Sequence, residues 1–84
     1  MGSSMEPKIH DGDLVAIRSQ PTVENGEVAA VRIDGEATLK RVYLHENFIE
    51  LRAENPAYTS IILTKEEMNT VTIEGKAVGL CRDI

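Results

Sequence analysis

Apolar and polar residues alternate along most of the 84-residue chain, a pattern typical of β-strands with one buried face. Turn-forming residues divide this alternation into short runs. The predicted strands are residues 14–18, 27–33, 36–43, 48–52, 61–63 and 71–80, the last with a break at Glu74-Gly75. Regularly spaced short strands indicate a small barrel or folded sheet, so we expect one mainly β domain of about six or seven strands.

The turn residues support this interpretation. Asp34-Gly35 joins two alternating runs, and such a pair is a strong short-range signal for a β-hairpin. Asn25-Gly26 precedes the second predicted strand, and Asn55-Pro56 marks a loop after the fourth. Helical signals are few, and residues 65–68 suit no more than a single turn.

The charge balance argues against nucleic-acid binding by this domain itself. The formal net charge is −5, which repels phosphate backbones. The three aromatic residues, Tyr43, Phe48 and Tyr58, are not surrounded by Lys and Arg as a base-stacking surface requires. We therefore expect any DNA contact of the parent protein to be made elsewhere.

Size and cysteine content suggest a small cytoplasmic domain. A chain this short buries only a little more than ~60% of its unfolded surface, so we expect it to lean on a partner subunit or an adjoining segment. Cys81 is the single cysteine, which fits a reducing compartment, and its apolar neighbours predict that it is buried. No apolar run reaches the ~18 residues of a membrane span. His10 and His45 lack a ligand pattern, and we expect no metal, no cofactor and no membrane contact.

Ser4 and Lys40 are the candidate catalytic residues. A serine hydroxyl is a weak nucleophile until a base removes its proton, and lysine is such a base only when it is neutral. At a pKa of ~10.4, fewer than about one lysine in a thousand is neutral at pH 7. Burial among apolar groups lowers this pKa because the ammonium loses its hydration. Lys40 lies in the middle of a predicted strand, away from turns, where such burial is possible.

Strand geometry places supporting residues around the lysine. Thr38, Lys40 and Val42 share one face of the strand, whereas Arg41 faces the other side and adds no charge beside the amine. The Thr38 hydroxyl is therefore placed to hold the amine, or a water molecule. We predict Thr38 as a supporting residue.

The segment around Ser4 is predicted to present the nucleophile. Pro7 suits the first turn of a short helix that begins at Ser3 or Ser4. Backbone N–H groups at such a start are unpaired, so they are suited to hold the oxyanion that forms when a serine attacks a carbonyl. Met5 is expected to pack beside the nucleophile.

Together these motifs resemble the S24 family, the Ser–Lys peptidase domain of LexA-like repressors and of UmuD-like proteins of translesion synthesis. A vector-derived Met-Gly-Ser-Ser leader is the alternative origin of Ser4, but it would have to complete the motif by accident. The resemblance implies a LexA/signal-peptidase-type folded sheet, with the backbones of Ser3 and Ser4 as the oxyanion site. It rests on four segments: the segment around Lys40, the loop at residues 50–58, the closing residues 73–79 and an opening motif. The opening motif consists of Gly2, Ser4, Met5, Pro7, Ile9, Gly12 and Asp13.

The resemblance also implies an activity. Such domains cut a small pair such as Ala-Gly in an upstream segment of the same polypeptide, triggered by the recombinase filament on single-stranded DNA during the SOS response to DNA damage. The cut separates a DNA-binding domain from a dimerising half. A homodimer is expected, with an exposed edge strand near residues 71–80 as the pairing surface.

Only three residues precede Ser4, whereas the family carries its cleavage segment and DNA-binding domain before the nucleophile. We therefore expect residues 1–84 to be an S24 core domain that lacks both, and that is inactive in cis as a fragment. DNA would be reached only through the missing N-terminal domain.

Two other functions remain open at this stage. The domain could be a catalytically silent dimerisation module of a transcriptional regulator. It could also be a signal-peptidase-like core, because those enzymes share a Ser-Met-x-Pro box and a Lys-Arg-Val segment. The second is disfavoured because the Gly-x-Pro-Gly-Asp-like turn that usually follows their lysine is absent after Lys40.

Overall fold

The computed structural model describes residues 4–82, which form one antiparallel sheet and one short 3-10 helix at Glu67–Thr70. The prediction of a mainly β domain is confirmed. Its six strands are β1 Leu14–Ser19, β2 Val28–Ile33, β3 Glu36–Leu44, β4 Phe48–Arg52, β5 Ile61–Thr64 and β6 Val71–Cys81.

The strand order is β1-β6-β2-β3-β4-β5. Strands β2 to β5 form a consecutive meander, and β6 returns across the domain to lie between β1 and β2. Because β6 reaches both the first strand and the meander, it joins the N-terminal part of the chain to the rest of the sheet.

The hairpin between β2 and β3 has the predicted turn. Asp34 and Gly35 have φ values of 49° and 84°, and Ile33 pairs with Glu36. Positive φ at both central residues is the geometry of a type I′ turn, which matches the twist of the two strands. The turn fixes the register of β3 and therefore the face on which Lys40 lies.

The predicted break at Glu74-Gly75 is a bulge within a continuous β6. The register between β2 and β6 moves from Ala30↔Gly75 to Val31↔Ile73, which leaves Glu74 as the extra residue. Gly75 is buried, and a Cβ atom at this position would overlap the carbonyl oxygen of Arg18. The glycine is therefore required by the close approach of β1.

The core is aliphatic and lies against one face of the meander. Val31, Val42 and Leu51 have fully buried side chains, and Val42 pairs with Leu51 across β3 and β4. The other core residues are Val23, Ala29, Ile49 and Leu63. Because Val42 is two residues from Lys40, the core face of β3 is also the face of the candidate base.

The structure differs from the sequence-based predictions at both short helices. Residues 4–9 form hydrogen-bonded turns rather than a helix, with the Ile9 amide donating to the Met5 carbonyl at 3.0 Å. The helical turn predicted at residues 65–68 lies two residues later, as the 3-10 helix. Its position follows from Glu67, whose carboxylate accepts hydrogen bonds from the amide and hydroxyl of Thr64.

The structure corrects two predictions about the last strand. β6 lies between β1 and β2 and not at the edge of the sheet, although residues 71–73 pair only with β2 and residues 77–81 only with β1. Cys81 is exposed, because it ends β6 opposite Leu14 at the margin of the sheet, beyond the core. Within residues 4–82, no helix has the length and apolar character needed to cross a membrane.

Candidate functional site

The structure brings Ser4 and Lys40 together. The Lys40 Nζ and the Ser4 Oγ lie 2.8 Å apart, although the residues are 36 positions apart in the chain. This distance is within the range for direct proton transfer between a nucleophile and its base. The two side chains come from different elements, since Ser4 begins the N-terminal turns and Lys40 lies in the middle of β3.

The sheet half-buries Lys40 next to the core. Its register partner on β2 is Ala29, which is 0% exposed and whose small side chain leaves room for the lysine. Burial lowers the pKa of Lys40 below its ordinary value of 10.5, and the neighbouring Tyr58 opposes this shift more weakly. A lowered pKa raises the neutral fraction of the amine at any given pH, which is the form that can accept a proton.

Among residues 4–82, Lys40 also lacks the carboxylate partner that usually accompanies a buried lysine. Its side chain makes no ion pair with these residues, and the centroid of the Tyr58 ring is 6.0 Å from Nζ. A carboxylate here would favour the ammonium form. The environment of Lys40 therefore favours a base rather than a structural ion pair.

The loop after β4 holds Ser4. The Asn55 amide donates to the Ser4 carbonyl at 2.9 Å, and the Tyr58 amide donates to the Asn55 carbonyl at 3.0 Å. The same loop therefore fixes Ser4 and places Tyr58 beside Lys40. From the sequence, Asn55-Pro56 was predicted only to shape a loop. This turn signal was the one indication in the sequence that the loop contacts Ser4.

The supporting residues lie at the site. Met5 is 4% exposed, and both Met5 and Thr38 line the cleft next to Ser4. Thr38 makes no hydrogen bond to Lys40 among residues 4–82, where the amine contacts Ser4 instead. Ser3 lies outside the described residues, so the assignment of the Ser3 and Ser4 amides to an oxyanion site stays a prediction.

The cleft beside Ser4 has a volume of about 130 Å³ and mixed walls. Met5, Ile9, Val15 and Leu39 supply apolar surface, and residues 10–13 supply a polar rim. A concave apolar site with a few polar groups is suited to a small apolar segment of a ligand. Its position next to the Ser4 hydroxyl allows a bound carbonyl group to approach the nucleophile.

A salt bridge closes the polar rim. Arg82 donates from Nε to Asp13 Oδ1 at 2.9 Å and from Nη2 to Asp13 Oδ2 at 2.7 Å. The Arg82 guanidinium lowers the pKa of Asp13 to about 2, helped by the hydrogen bond from the His10 amide. In the sequence, Asp13 belongs to the opening motif, whereas nothing marks Arg82, whose contact with Asp13 depends on the pairing of β1 with β6.

Comparison with known proteins identifies the family of this chain. A sequence model of the family described as Peptidase S24-like matches residues 1–78. The chain belongs to the Peptidase S24-like family. This S24-like chain is 43% identical over 82 residues to a LexA repressor of Citrifermentans bemidjiense, and 44% identical over 75 residues to one of Erwinia tasmaniensis.

These alignments cover most of this S24-like chain but less than half of its relatives. They include 98% of this chain and 40% of the Citrifermentans protein, and 89% of this chain and 37% of the Erwinia protein. A LexA repressor of Nocardioides is 45% identical over 82 residues, which are 31% of its length. The chain therefore spans about two fifths or less of these repressors.

Proposed function

We propose that this S24-like chain is the autoproteolysis and dimerisation core of a LexA-like or phage-type transcriptional repressor. Ser4 attacks a peptide bond in an upstream segment of the same polypeptide, and neutral Lys40 accepts its proton. The observation that carries this proposal is the 2.8 Å contact between Ser4 Oγ and a half-buried Lys40 Nζ that has no carboxylate partner within residues 4–82.

The reaction follows the usual order of acyl transfer. Lys40 Nζ takes the Ser4 proton while Ser4 Oγ attacks the carbonyl carbon, and the negative charge moves to the carbonyl oxygen. The backbone N–H groups of Ser3 and Ser4 hold this oxyanion. The Lys40 ammonium then donates its proton to the leaving amine. Neutral Lys40 next takes a proton from a water molecule whose oxygen attacks the acyl carbon, and it returns this proton to Ser4 Oγ as the carboxylic acid is released.

Cleavage would end repression by dividing the parent protein. DNA binding would reside in an upstream domain, consistent with the net charge of −5 of the present chain and with relatives that are longer and named as repressors. The recombinase filament on single-stranded DNA is the proposed trigger. Residues 1–84 would then be the S24 core domain of a longer chain, working in the cytoplasm.

The test is cleavage of the full-length parent at pH 7 and pH 10. We expect two fragments that increase with pH, because more Lys40 is neutral at the higher value. Ser4→Ala and Lys40→Ala should each abolish them. Lys76→Ala is the matched control, since Lys76 is also half-buried and also pairs with Ala29, but is bound to Glu27. Cleavage retained in either Ser4→Ala or Lys40→Ala would contradict the mechanism.

A second function, subunit pairing, is favoured by an apolar surface on β1 and β6. Leu14 is 72% exposed and Leu80 49% exposed, and together with Ala16, Gly79 and Cys81 they line a shallow groove. The register of β6 with β2 ends at Lys76, so the last part of β6 extends beyond its neighbour. A second copy of the chain would cover this surface and complete the sheet edge.

Pairing without cleavage would be the catalytically silent alternative. A dimer in sedimentation together with an unlabelled Ser4, after treatment with a serine-reactive phosphonate at pH 10, would support that alternative. A labelled Ser4 supports the peptidase instead.

A further inference from the structure

Arg82 joins the end of β6 to both ends of the loop that forms the polar rim of the cleft. Its guanidinium contacts both Asp13 carboxylate oxygens, and its Nη2 also donates to the Lys8 carbonyl at 3.2 Å. The sheet register explains this contact. Leu14 pairs with Cys81, so Asp13 and Arg82 are the next residues along the same antiparallel ladder.

The loop at residues 8–13 is closed by this contact. The Asp13 side chain is 3% exposed, and its oxygens also accept a hydrogen bond from the His10 amide at 2.7 Å. The Asp13 amide in turn donates to the His10 carbonyl at 3.0 Å. Charge-assisted bonds of this kind are stronger than neutral ones, and a two-point guanidinium contact fixes direction as well as distance.

Residues 9–13 make up half of the cleft lining next to Ser4. Removing the contacts of Arg82 with Asp13 and Lys8, called the clamp below, would release the loop from the end of β6 and allow residues 9–13 to shift. The Ser4–Lys40 pair is held separately, by the Asn55 amide on one side and by the β3 register on the other. The contacts of Arg82 with the loop therefore act on residues 9–13, the wall of the cleft that meets a ligand. They do not act on Ser4 and Lys40.

We propose that Arg82 and Asp13 are positioning residues that hold the wall at residues 9–13 in the shape that binds the substrate peptide. This proposal rests on the proposed peptidase function. Losing the clamp weakens peptide binding and leaves the reactivity of Ser4 and its pH dependence in place. Interactions that act equally on bound substrate and transition state change KM and not kcat.

The chain offers a matched control in Arg32. Like Arg82, it bridges a carboxylate and a backbone carbonyl, through Glu74 Oε1 at 2.6 Å and Gly35 O at 2.9 Å, and its side chain is equally exposed at 47%. Neither Arg32 nor Glu74 lines the cleft. Arg32→Gln therefore removes a salt bridge of an equally exposed arginine without touching the wall, although this salt bridge has one contact, to a carboxylate that is 40% exposed.

The experiment measures Ser4 labelling by a small fluorophosphonate from pH 7 to pH 10, and protection against that labelling by a peptide with an Ala-Gly bond flanked by apolar residues. Wild type, Arg82→Gln, Arg82→Lys, Asp13→Asn and Arg32→Gln are compared as the intact chain, with thermal unfolding recorded for each. The probe is small enough to reach Ser4 without occupying the whole cleft.

For Arg82→Gln and Asp13→Asn we expect the peptide concentration that gives half-protection to rise about threefold to tenfold, while labelling without peptide keeps its rate and pH profile. Arg82→Lys should recover part of the loss, since an ammonium retains the charge but not the two-point contact. Arg32→Gln should match wild type.

The outcomes separate the two proposals. Wild type that is never labelled at Ser4 would count against the peptidase function itself. If Ser4 of the wild type is labelled, two results would overturn the role of the clamp. One is equal protection by the peptide in wild type and Arg82→Gln, and the other is no protection in wild type. A fall in labelling rate that follows loss of thermal stability would show a structural role instead, and would also overturn it.

Discussion

Replacing Lys40 by arginine tests the base directly, because it keeps the charge and much of the bulk but removes the ability to become neutral. The amine of Lys40 is 2.8 Å from Ser4 Oγ, and its pKa is lowered from 10.5 by burial. A guanidinium has a pKa at least two units above that of an ordinary lysine and stays protonated in proteins. Lys40→Arg therefore leaves Ser4 beside a permanent cation.

The expected loss of cleavage rate in Lys40→Arg has a lower bound. Below both pKa values the neutral fraction falls tenfold for each unit by which the pKa rises. Two units separate an ordinary lysine from arginine, so self-cleavage of the parent protein at pH 7 should fall by at least about a hundredfold. The loss is larger in this protein, because the pKa of Lys40 lies below 10.5.

The assay is the rate of fragment formation by the full-length parent between pH 6 and pH 10. Wild type should accelerate by up to about tenfold per pH unit and then level off once the pH passes the pKa of Lys40, which burial lowers from its ordinary value. Lys76→Arg is the control. It changes a lysine that is bound to Glu27, and this variant should follow the wild-type curve. A flat wild-type profile, or cleavage by Lys40→Arg at a comparable rate, would refute the assignment of Lys40 as the base.

Three further predictions concern stability and assembly. Leu51→Ala removes a side chain that is 1% exposed, and should lower the free energy of unfolding by about 2–5 kcal/mol in urea titration; a loss below about 1 kcal/mol would show that Leu51 is not tightly packed. Gly75→Ala places a methyl group against the Arg18 carbonyl and should cost about 1–3 kcal/mol in the same assay, whereas Gly79→Ala, with ordinary contact distances, is its control. Leu80→Asp puts a charge on the apolar surface of β1 and β6 and should shift the chain toward monomer in sedimentation equilibrium. Ile62→Asp, on the exposed side of β5, is its control and should leave the monomer–dimer ratio unchanged. An unchanged ratio in Leu80→Asp would place pairing elsewhere.

The sequence predicted those features of the fold that depend on local chemistry. The Asp34-Gly35 turn requires two positive φ values, which few residue pairs tolerate, so its hairpin could be located to the residue. The placement of β6 could not be predicted in this way. Its position between β1 and β2 is a long-range pairing, and the apolar alternation of residues 71–80 is equally compatible with an edge strand.

In the candidate site, too, local sequence chemistry could predict some residues, whereas the roles of others depend on long-range contacts. Ser4 and Lys40 could be named because each has a recognisable neighbourhood in the chain, and the contact between them then followed from the fold. Asn55 and Arg82 could not be assigned their roles. Asn55 contacts the Ser4 carbonyl through its backbone amide, which almost any residue type could supply. Arg82 meets Asp13 only because of the register between β1 and β6.

Two lysines beside the same alanine show how the fold gives them different electrostatic environments. Ala29 on β2 is the register partner of Lys40 on β3 and of Lys76 on β6. Lys76 Nζ lies 2.5 Å from Glu27 Oε2 and lowers the pKa of that carboxyl, so its charge is compensated. Lys40 faces the Ser4 hydroxyl, which cannot compensate a charge, and burial then acts against its ammonium form. A sheet selected only for stability would gain from a carboxylate at the Ser4 position or an apolar residue at position 40. The uncompensated amine is a local cost that fits a catalytic base, and it accounts for the direction of the pKa shift without any further assumption.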